Sequence, residues 1–417
     1  MRFGKIILAA FVLLLNLGTC ASVASTSDKP VMVYYMPWYA AKPFSGEWGR
    51  HWTMDHFNPD KVNASGEREI ASWYYPLIGP YDSADPAVLE YHVLLMKLAG
   101  IDGVIVDWYG SADYFDYAAL NRNAAKLFDY TRKAGLKFAI CYEDQTIQRL
   151  IEGKRLTAAD AIHHAQQEML YLQANFFRDA SYFRLNGKPL LENFGPQYFL
   201  ASTNWDEIFS VLDASNRPAF FTEDNRLAAG LGAFDWPPMW LSQQPGTGGV
   251  LSEASLKNYL TEFEKKSASW PAFISSAFPR FHDIYQRAGV RNYWGYLGDR
   301  NGETLRDNLN RALTNNSALV QIVTWNDFGE GTTIEPTAEY GFRDLYLIQD
   351  LCRQKLDAKR SLFTNDLASV FQFYSLRHNS ATNAALAIAL DQIFTNIVSG
   401  REESALKQLG KIEAQLP

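Results

Sequence analysis

Short apolar, β-branched runs alternate along the chain with stretches whose apolar positions recur at helical spacing. The strand-like runs are VMVYYMPWY (31–39), IDGVIVDWYG (101–110), LKFAICYED (136–144), KPLLENFGP (188–196), PAFFTEDN (218–225), FDWPPMWL (234–241), PAFISSAFP (271–279) and LVQIVTWND (319–327). The sixth is the weakest of the eight, because two prolines interrupt it. Between the runs lie amphipathic segments with helix punctuation. DPAVLEYHVLLMKLAG opens with Asp85 as cap and Pro86 at the first helical position, and closes at Gly100. YAALNRNAAKLFDYTRKAG ends at Gly135, and TAADAIHHAQQEMLYLQANFF starts at Thr157 with Asp160 three residues on. SEASLKNYLTEFEKKSA and GETLRDNLNRALTNN continue the alternation.

Strand–helix repeats of this kind predict parallel strands joined by crossovers. Eight of them predict a closed (β/α)8 TIM barrel over residues 28–360. From 361 to 417 the helical period continues with no strand signal, which predicts a C-terminal helical appendage packed on the barrel. No internal repeat or low-complexity tract interrupts the chain.

Composition narrows the function classes. The chain has 417 residues, is 47% hydrophobic and 20% charged, and carries a net charge of −7. That sign argues against a nucleic-acid or anionic-membrane surface, which needs basic patches. Eleven Trp, 22 Tyr and 26 Phe supply a core and also the flat faces on which sugar rings stack.

The first residues, MRFGKIILAAFVLLLNLGTCASVAS, follow the pattern of an export signal over 1–24. Arg2 and Lys5 give the charged start, Ile6 to Leu17 the apolar run, and Ala21 to Ala24 the small residues suited to cleavage. The run is too short to span a bilayer. LGTC, ending at Cys20, resembles a bacterial lipobox and offers lipid attachment as a second outcome. The expected location is periplasmic or secreted. Cleavage after Ala24 leaves Cys141 and Cys352, too few for a disulfide framework, and both are expected as buried thiols.

In a barrel of this type the chemistry sits at the C-terminal ends of the strands. Here those ends read Pro37-Trp38-Tyr39, Asp107-Trp108-Tyr109, Tyr142-Glu143-Asp144, Glu192-Asn193, Glu223-Asp224-Asn225, Asp235-Trp236 and Trp325-Asn326-Asp327. Carboxylates and aromatics converging on one face suit glycosidic chemistry, in which one acid gives a proton and another stabilises or attacks. Acids at strand ends also cap helices or line a solvated rim, and oxygen-rich clusters can bind calcium. No EF-hand loop, HExxH pattern, G-x-S-x-G elbow or dinucleotide fingerprint is present, so no metal or cofactor is expected.

The segment TWNDFGEGTTIEPT (324–337) resembles the active-site stretch of glycoside hydrolase family 99, which runs approximately N-E-W-H-E-G-T-x-I-E-P. Its WNDFGE core also resembles the W-N-D-Y-G-E segment of family 71, the fungal α-1,3-glucanases. VYYMPWY, the long stretch from WYYPLIGPYDSADP through VIVDWYG, FRLNGKPLLENF and NGETLRDNLNRAL extend the likeness over most of residues 30–345. The resemblance implies a (β/α)8 barrel and a retaining, endo-acting hydrolase of α-linked polysaccharide. Carried over by position, Asp327 matches a base acting on the sugar's own 2-hydroxyl, and Glu330 matches the acid that protonates the leaving group. Asp327 is one methylene shorter than the family's Glu, which sets its carboxylate roughly an ångström or more further back. Phe328 and Gly329 stand where the family has Trp and His.

Glu143 matches an acidic substrate-binding position and Trp108 a stacking aromatic. Tyr35, Trp38, Asp107, Glu192, Asp235, Trp325 and Asn326 are further expected cleft residues. The expected partner is a polysaccharide or oligosaccharide. Two other readings use the same residues: a carbohydrate-binding protein that has lost activity, and an exported esterase or lyase.

Overall fold

The structure, a computed structural model, describes residues 29–226, 230–356, 367–379 and 383–414. The expected export segment and Cys20 lie outside the described residues. Eight parallel strands form the centre of the molecule: β1 (Val31–Tyr35), β2 (Gly103–Trp108), β3 (Lys137–Tyr142), β4 (Lys188–Asn193), β5 (Ala219–Glu223), β6 (Gly232–Phe234), β7 (Ile274–Ala277) and β8 (Leu319–Ile322). They pair in sequence order, and β8 returns to β1 with Val320 opposite Val31, so the sheet closes into a barrel. Nearly every strand residue is buried, because one face fills the barrel and the other meets the helices.

The sixth strand departs from its expected position. It starts at Gly232, two residues before the apolar run, and stops at Phe234. Pro237 and Pro238 have no amide to give a ladder, and the chain turns away through Met239–Gln243. Glycine is required at the start, since a Cβ on Gly232 would lie 1.7 Å from the carbonyl oxygen of Ala272, just ahead of β7.

The helices mostly follow the punctuation. In α1 (Pro86–Leu98) the Asp85 side chain accepts from the Ala87 amide at 2.9 Å. α2 (Tyr117–Lys133) ends before a left-handed Gly135. Thr157 does not cap as expected: its hydroxyl donates to Asp160 at 2.6 Å, and α4 begins later, at Ala161–Leu172. α6 (Glu253–Ser267) is capped by Ser252, and α7 (Glu303–Thr314) precedes the last strand. Three helices, α3 (Gln145–Glu152), α5 (Ser202–Phe209) and α8 (Arg343–Lys355), fall outside the stretches marked by the sequence period.

Beyond the barrel, α9 (Ala368–Asn379), α10 (Ala384–Val398) and α11 (Glu402–Glu413) follow. Arg377 on α9 pairs with Glu90 on α1 at 2.7 Å, Tyr374 packs on Tyr91, and Leu390, Ile393 and Ile397 of α10 join the barrel's own core. Among the described residues no helix is long and apolar enough to cross a membrane. Cys141 and Cys352 are both buried.

Two long excursions build walls at the C-terminal mouth of the barrel. One is residues 36–85, between β1 and α1. The other is residues 278–302, between β7 and α7, where Phe281–His282 and Tyr296–Leu297 form a short antiparallel ribbon.

Candidate active site

After β8 the chain folds back on itself and fixes the acid-bearing loop. The Thr324 hydroxyl accepts from the Asp327 amide at 2.8 Å, and the Gly331 amide donates to the Asp327 carbonyl at 3.0 Å. The Ile334 and Glu335 amides donate to the Thr324 and Trp325 carbonyls at 3.0 and 2.9 Å. Gly331 has φ +68, and a Cβ there would lie 2.7 Å from the His282 carbonyl, so this loop and the ribbon approach as closely as only glycine allows. The ribbon is stitched to the loop by the His282 amide on the Glu330 carbonyl and the Ile284 amide on the Gly329 carbonyl.

Asp327 and Glu330 come together at this mouth. The Glu330 amide donates to Oδ1 of Asp327 at 2.8 Å. Asp327 is almost wholly buried, and that burial raises its carboxyl to about 6, against the pull of the Glu330 and Gly329 amides and of His51. Glu330 is partly exposed; burial first, and the charge of Asp327 second, raise it to about 8. Arg291, 3.7 Å from Oε1, and the Tyr285 hydroxyl, 3.3 Å from it, pull the other way. Two adjacent carboxyls therefore differ in proton affinity, which is the condition for a base and an acid to work side by side near neutral pH.

Two further predicted acids join them. Asp107 accepts from the Tyr34 hydroxyl at 2.9 Å and is raised to about 7, by burial first and also by the charge of Asp327. Glu143 accepts from Gln145 at 2.7 Å and is held well above the usual carboxylate range by burial and by Asp107. Trp38 lies half-buried at the rim, stacked flat on His51 with centroids 4.2 Å apart.

The other predicted positions are placed elsewhere. Asn326 is turned inward, where its amide bonds the Met36 amide (2.8 Å), the Met36 carbonyl (3.0 Å) and the Tyr81 hydroxyl (3.0 Å), leaving little capacity for a ligand. Trp325 is fully buried against His92. Tyr35 also faces away from the mouth, its hydroxyl on Nδ1 of His92 at 2.9 Å. Trp108 has no open face: its indole donates to Asn121 and its ring packs on Tyr142 and Tyr171. Glu192 lies inside the barrel, where the Gln321 amide nitrogen, turned toward it, sits 2.9 and 3.2 Å from its two oxygens. Asp235 is held between strand and helix by Arg311 at 2.7 Å and the Ser276 amide at 2.6 Å.

Tyr285 and Arg291, against Glu330, and Tyr34, against Asp107, join these acids although no sequence signal marks them. Tyr285 and Arg291 sit in an irregular loop with no periodic signal. That loop is shaped by Asp283, whose carboxylate accepts from the Tyr285, Trp294 and Gly295 amides.

Comparison with known proteins agrees with this architecture. The family model for glycosyl hydrolase family 99 matches residues 26–218. The mouse glycoprotein endo-alpha-1,2-mannosidase is 25% identical over 330 residues, covering 72% of this chain and 66% of that protein. A zebrafish glycoprotein endo-alpha-1,2-mannosidase-like protein is 34% identical over 95 residues, 20% of this chain and 21% of its own length. The solved GH99 endo-alpha-mannosidase of Bacteroides thetaiotaomicron superposes with a TM-score of 0.58 at 19% identity, over 77% of this chain and 95% of that one. The chain is similar in sequence to glycosyl hydrolase family 99 over residues 26–218, and similar in fold to a solved member of that family.

The family model's match stops at residue 218, ahead of the Asp327–Glu330 loop. The pairing of those two acids therefore rests on the loop's own geometry.

Proposed function

We propose that the chain is an exported, retaining, endo-acting hydrolase of α-linked polysaccharide of the mannan type, with Asp327 as base and Glu330 as general acid. One observation carries this reading: two adjacent acids at the barrel mouth, the more exposed one holding its proton to about 8 while its neighbour is ionised above about 6. Asp327 takes the proton of the substrate's 2-hydroxyl, and that oxygen attacks C1. The C1–O bond to the leaving group breaks, and the departing oxygen receives the proton of Glu330. Water then opens the resulting 1,2-anhydro sugar, with Glu330 accepting its proton and Asp327 returning one to O2. Neither carboxylate needs to reach C1, so the shorter Asp327 is compatible with retention.

The match to the family 99 model and the names of the similar mannosidases favour mannan over glucan. Export, by cleavage after Ala24 or by lipid attachment at Cys20, rests on the N-terminal pattern alone. Incubation of the purified protein with α-mannans and α-glucans, followed by sizing of products and NMR of the first-formed anomer, tests the reading. Internal cleavage of mannan with an α-configured first product is expected. Absence of new reducing ends from every substrate, or a β first product, would rule it out.

A further inference from the structure

A general acid gives its proton to the departing oxygen, so on the reading above the leaving-group sugar lies against the wall beside Glu330. The 283–296 segment forms that wall, and its surface is aromatic and cationic. Trp73 lies flat on His282, centroids 4.6 Å apart and planes within 3°, and donates its indole N–H to the Asp283 carbonyl. Trp294 is 37% exposed. The Arg291 guanidinium sits 4.0 Å from the Tyr285 ring centroid and 5.0 Å from that of Trp294, and Arg287 sits 5.3 Å from Trp73.

In a chain of net charge −7 these two exposed cations are conspicuously short of partners. Among the described residues Arg287 makes no ion pair, and the one ion pair of Arg291 is the 3.7 Å approach to Glu330, too long for a hydrogen bond; its other polar neighbour is the neutral Tyr285 hydroxyl. The acids nearby are already engaged: Asp283 by three backbone amides, Glu69 by Lys61 and the Asn58 amide. A cation beside a proton donor favours the donor's ionised form, which works against catalysis. While Glu330 holds its proton, Arg291 has no carboxylate in ion-pair contact and feels only the more distant charges of Asp327 and Asp283. An anion on the substrate would supply the missing partner and also relieve the pull on the Glu330 proton.

We propose that the leaving-group side of the cleft is a subsite for a sugar bearing an anionic oxygen substituent, gripped by Arg291 and Arg287 with Trp73 and Trp294 as stacking faces. Stacked guanidiniums are suited to this, because the rings fix the fork that meets two oxygens at once. The inference rests on the glycosidase reading for which side the leaving group occupies.

The test uses the full-length Glu330→Gln protein, which holds substrate without cleaving it. α-Mannooligosaccharides carrying a sulfate ester, a phosphate ester or a uronic acid at the reducing side are titrated by calorimetry, each against its neutral parent. At least one anionic arm is expected to bind about tenfold tighter or better than the neutral one, with the advantage shrinking as salt rises. Adding Arg287→Gln and Arg291→Gln should bring the ratio near unity, and Arg291→Lys should restore only part of it. Equal affinity in all arms, no binding in any, or an advantage that survives loss of both arginines overturns the subsite. Turnover by the wild type is read separately. An affinity difference without hydrolysis refutes the glycosidase reading, whereas hydrolysis without an affinity difference refutes the subsite alone.

Discussion

The backbone amide of Glu330 donates to the carboxylate of Asp327 at 2.8 Å, so the residue whose side chain keeps its proton also helps its neighbour lose one. The short turn that spaces them makes the two titrations interdependent. kcat/KM on an α-mannan oligosaccharide is expected to follow a bell in pH, with limbs near 6 and 8 that belong to the pair. Below the lower limb the base is protonated; above the upper one the acid has no proton to give. In Asp327→Asn the neighbouring charge is gone, so the Glu330 carboxyl, followed by carbon-13 NMR, should titrate below its wild-type value. An unmoved titration would mean that the two acids do not sense each other.

The two proposed roles separate by leaving group. Glu330→Gln cannot donate a proton, and turnover of a natural glycan should fall roughly 100- to 10,000-fold. A substrate whose leaving group is a nitrophenolate needs no proton, so Glu330→Gln should retain much more of its rate there. Asp327→Asn should lose rate on both substrates, because O2 activation is required in each case. If both variants lose rate in equal proportion on both substrates, the division of labour is wrong.

Asn326 holds the acid loop to β1 through the backbone of Met36, and also reaches Tyr81. Asn326→Ala leaves one buried amide, one buried carbonyl and one hydroxyl without this partner. The expected loss of stability is about 1–3 kcal/mol, read as a shift in the urea midpoint at constant slope. kcat should drop more than KM rises, since the loop carries the acids rather than the bulk of the binding surface. A loss confined to KM would instead make Asn326 a ligand-binding side chain.

The barrel was legible because its strands are continuous apolar runs, and burial on both faces leaves that mark in sequence. The acid pair was legible because four consecutive positions carry it. Tyr35, Trp108, Trp325 and Asn326 read as cleft residues because each stands at a strand end, but sequence does not say which way a side chain turns. Tyr35 and Trp325 turn to His92, Trp108 to Asn121, and Asn326 to Met36. Asp235 likewise satisfies an arginine that lies 76 residues further along the chain. Tyr285 and Arg291 were hidden for the converse reason: backbone amides gathered by Asp283 shape their loop, with no helix or strand period to announce it.

Glu192 provides a test that does not depend on catalysis. It is fully buried in the barrel beside Gln321, and burial raises its carboxyl to about 8. The folded chain therefore keeps a proton that the unfolded chain sheds near the ordinary value of 4.5. Stability from this group is complete below that value and is lost as pH rises toward 8, at about 1.4 kcal/mol per pH unit. Glu192→Gln has nearly the shape of the protonated acid and does not titrate. The variant should lose less stability than the wild type between pH 5 and pH 8, by roughly a few kcal/mol in denaturant titrations. Other raised carboxyls, including Glu143 and Glu330, titrate in both proteins, so the difference between the two pH responses isolates Glu192. Identical losses in variant and wild type would show that Glu192 is already ionised in the folded barrel, with its charge carried by Gln321 and its surroundings.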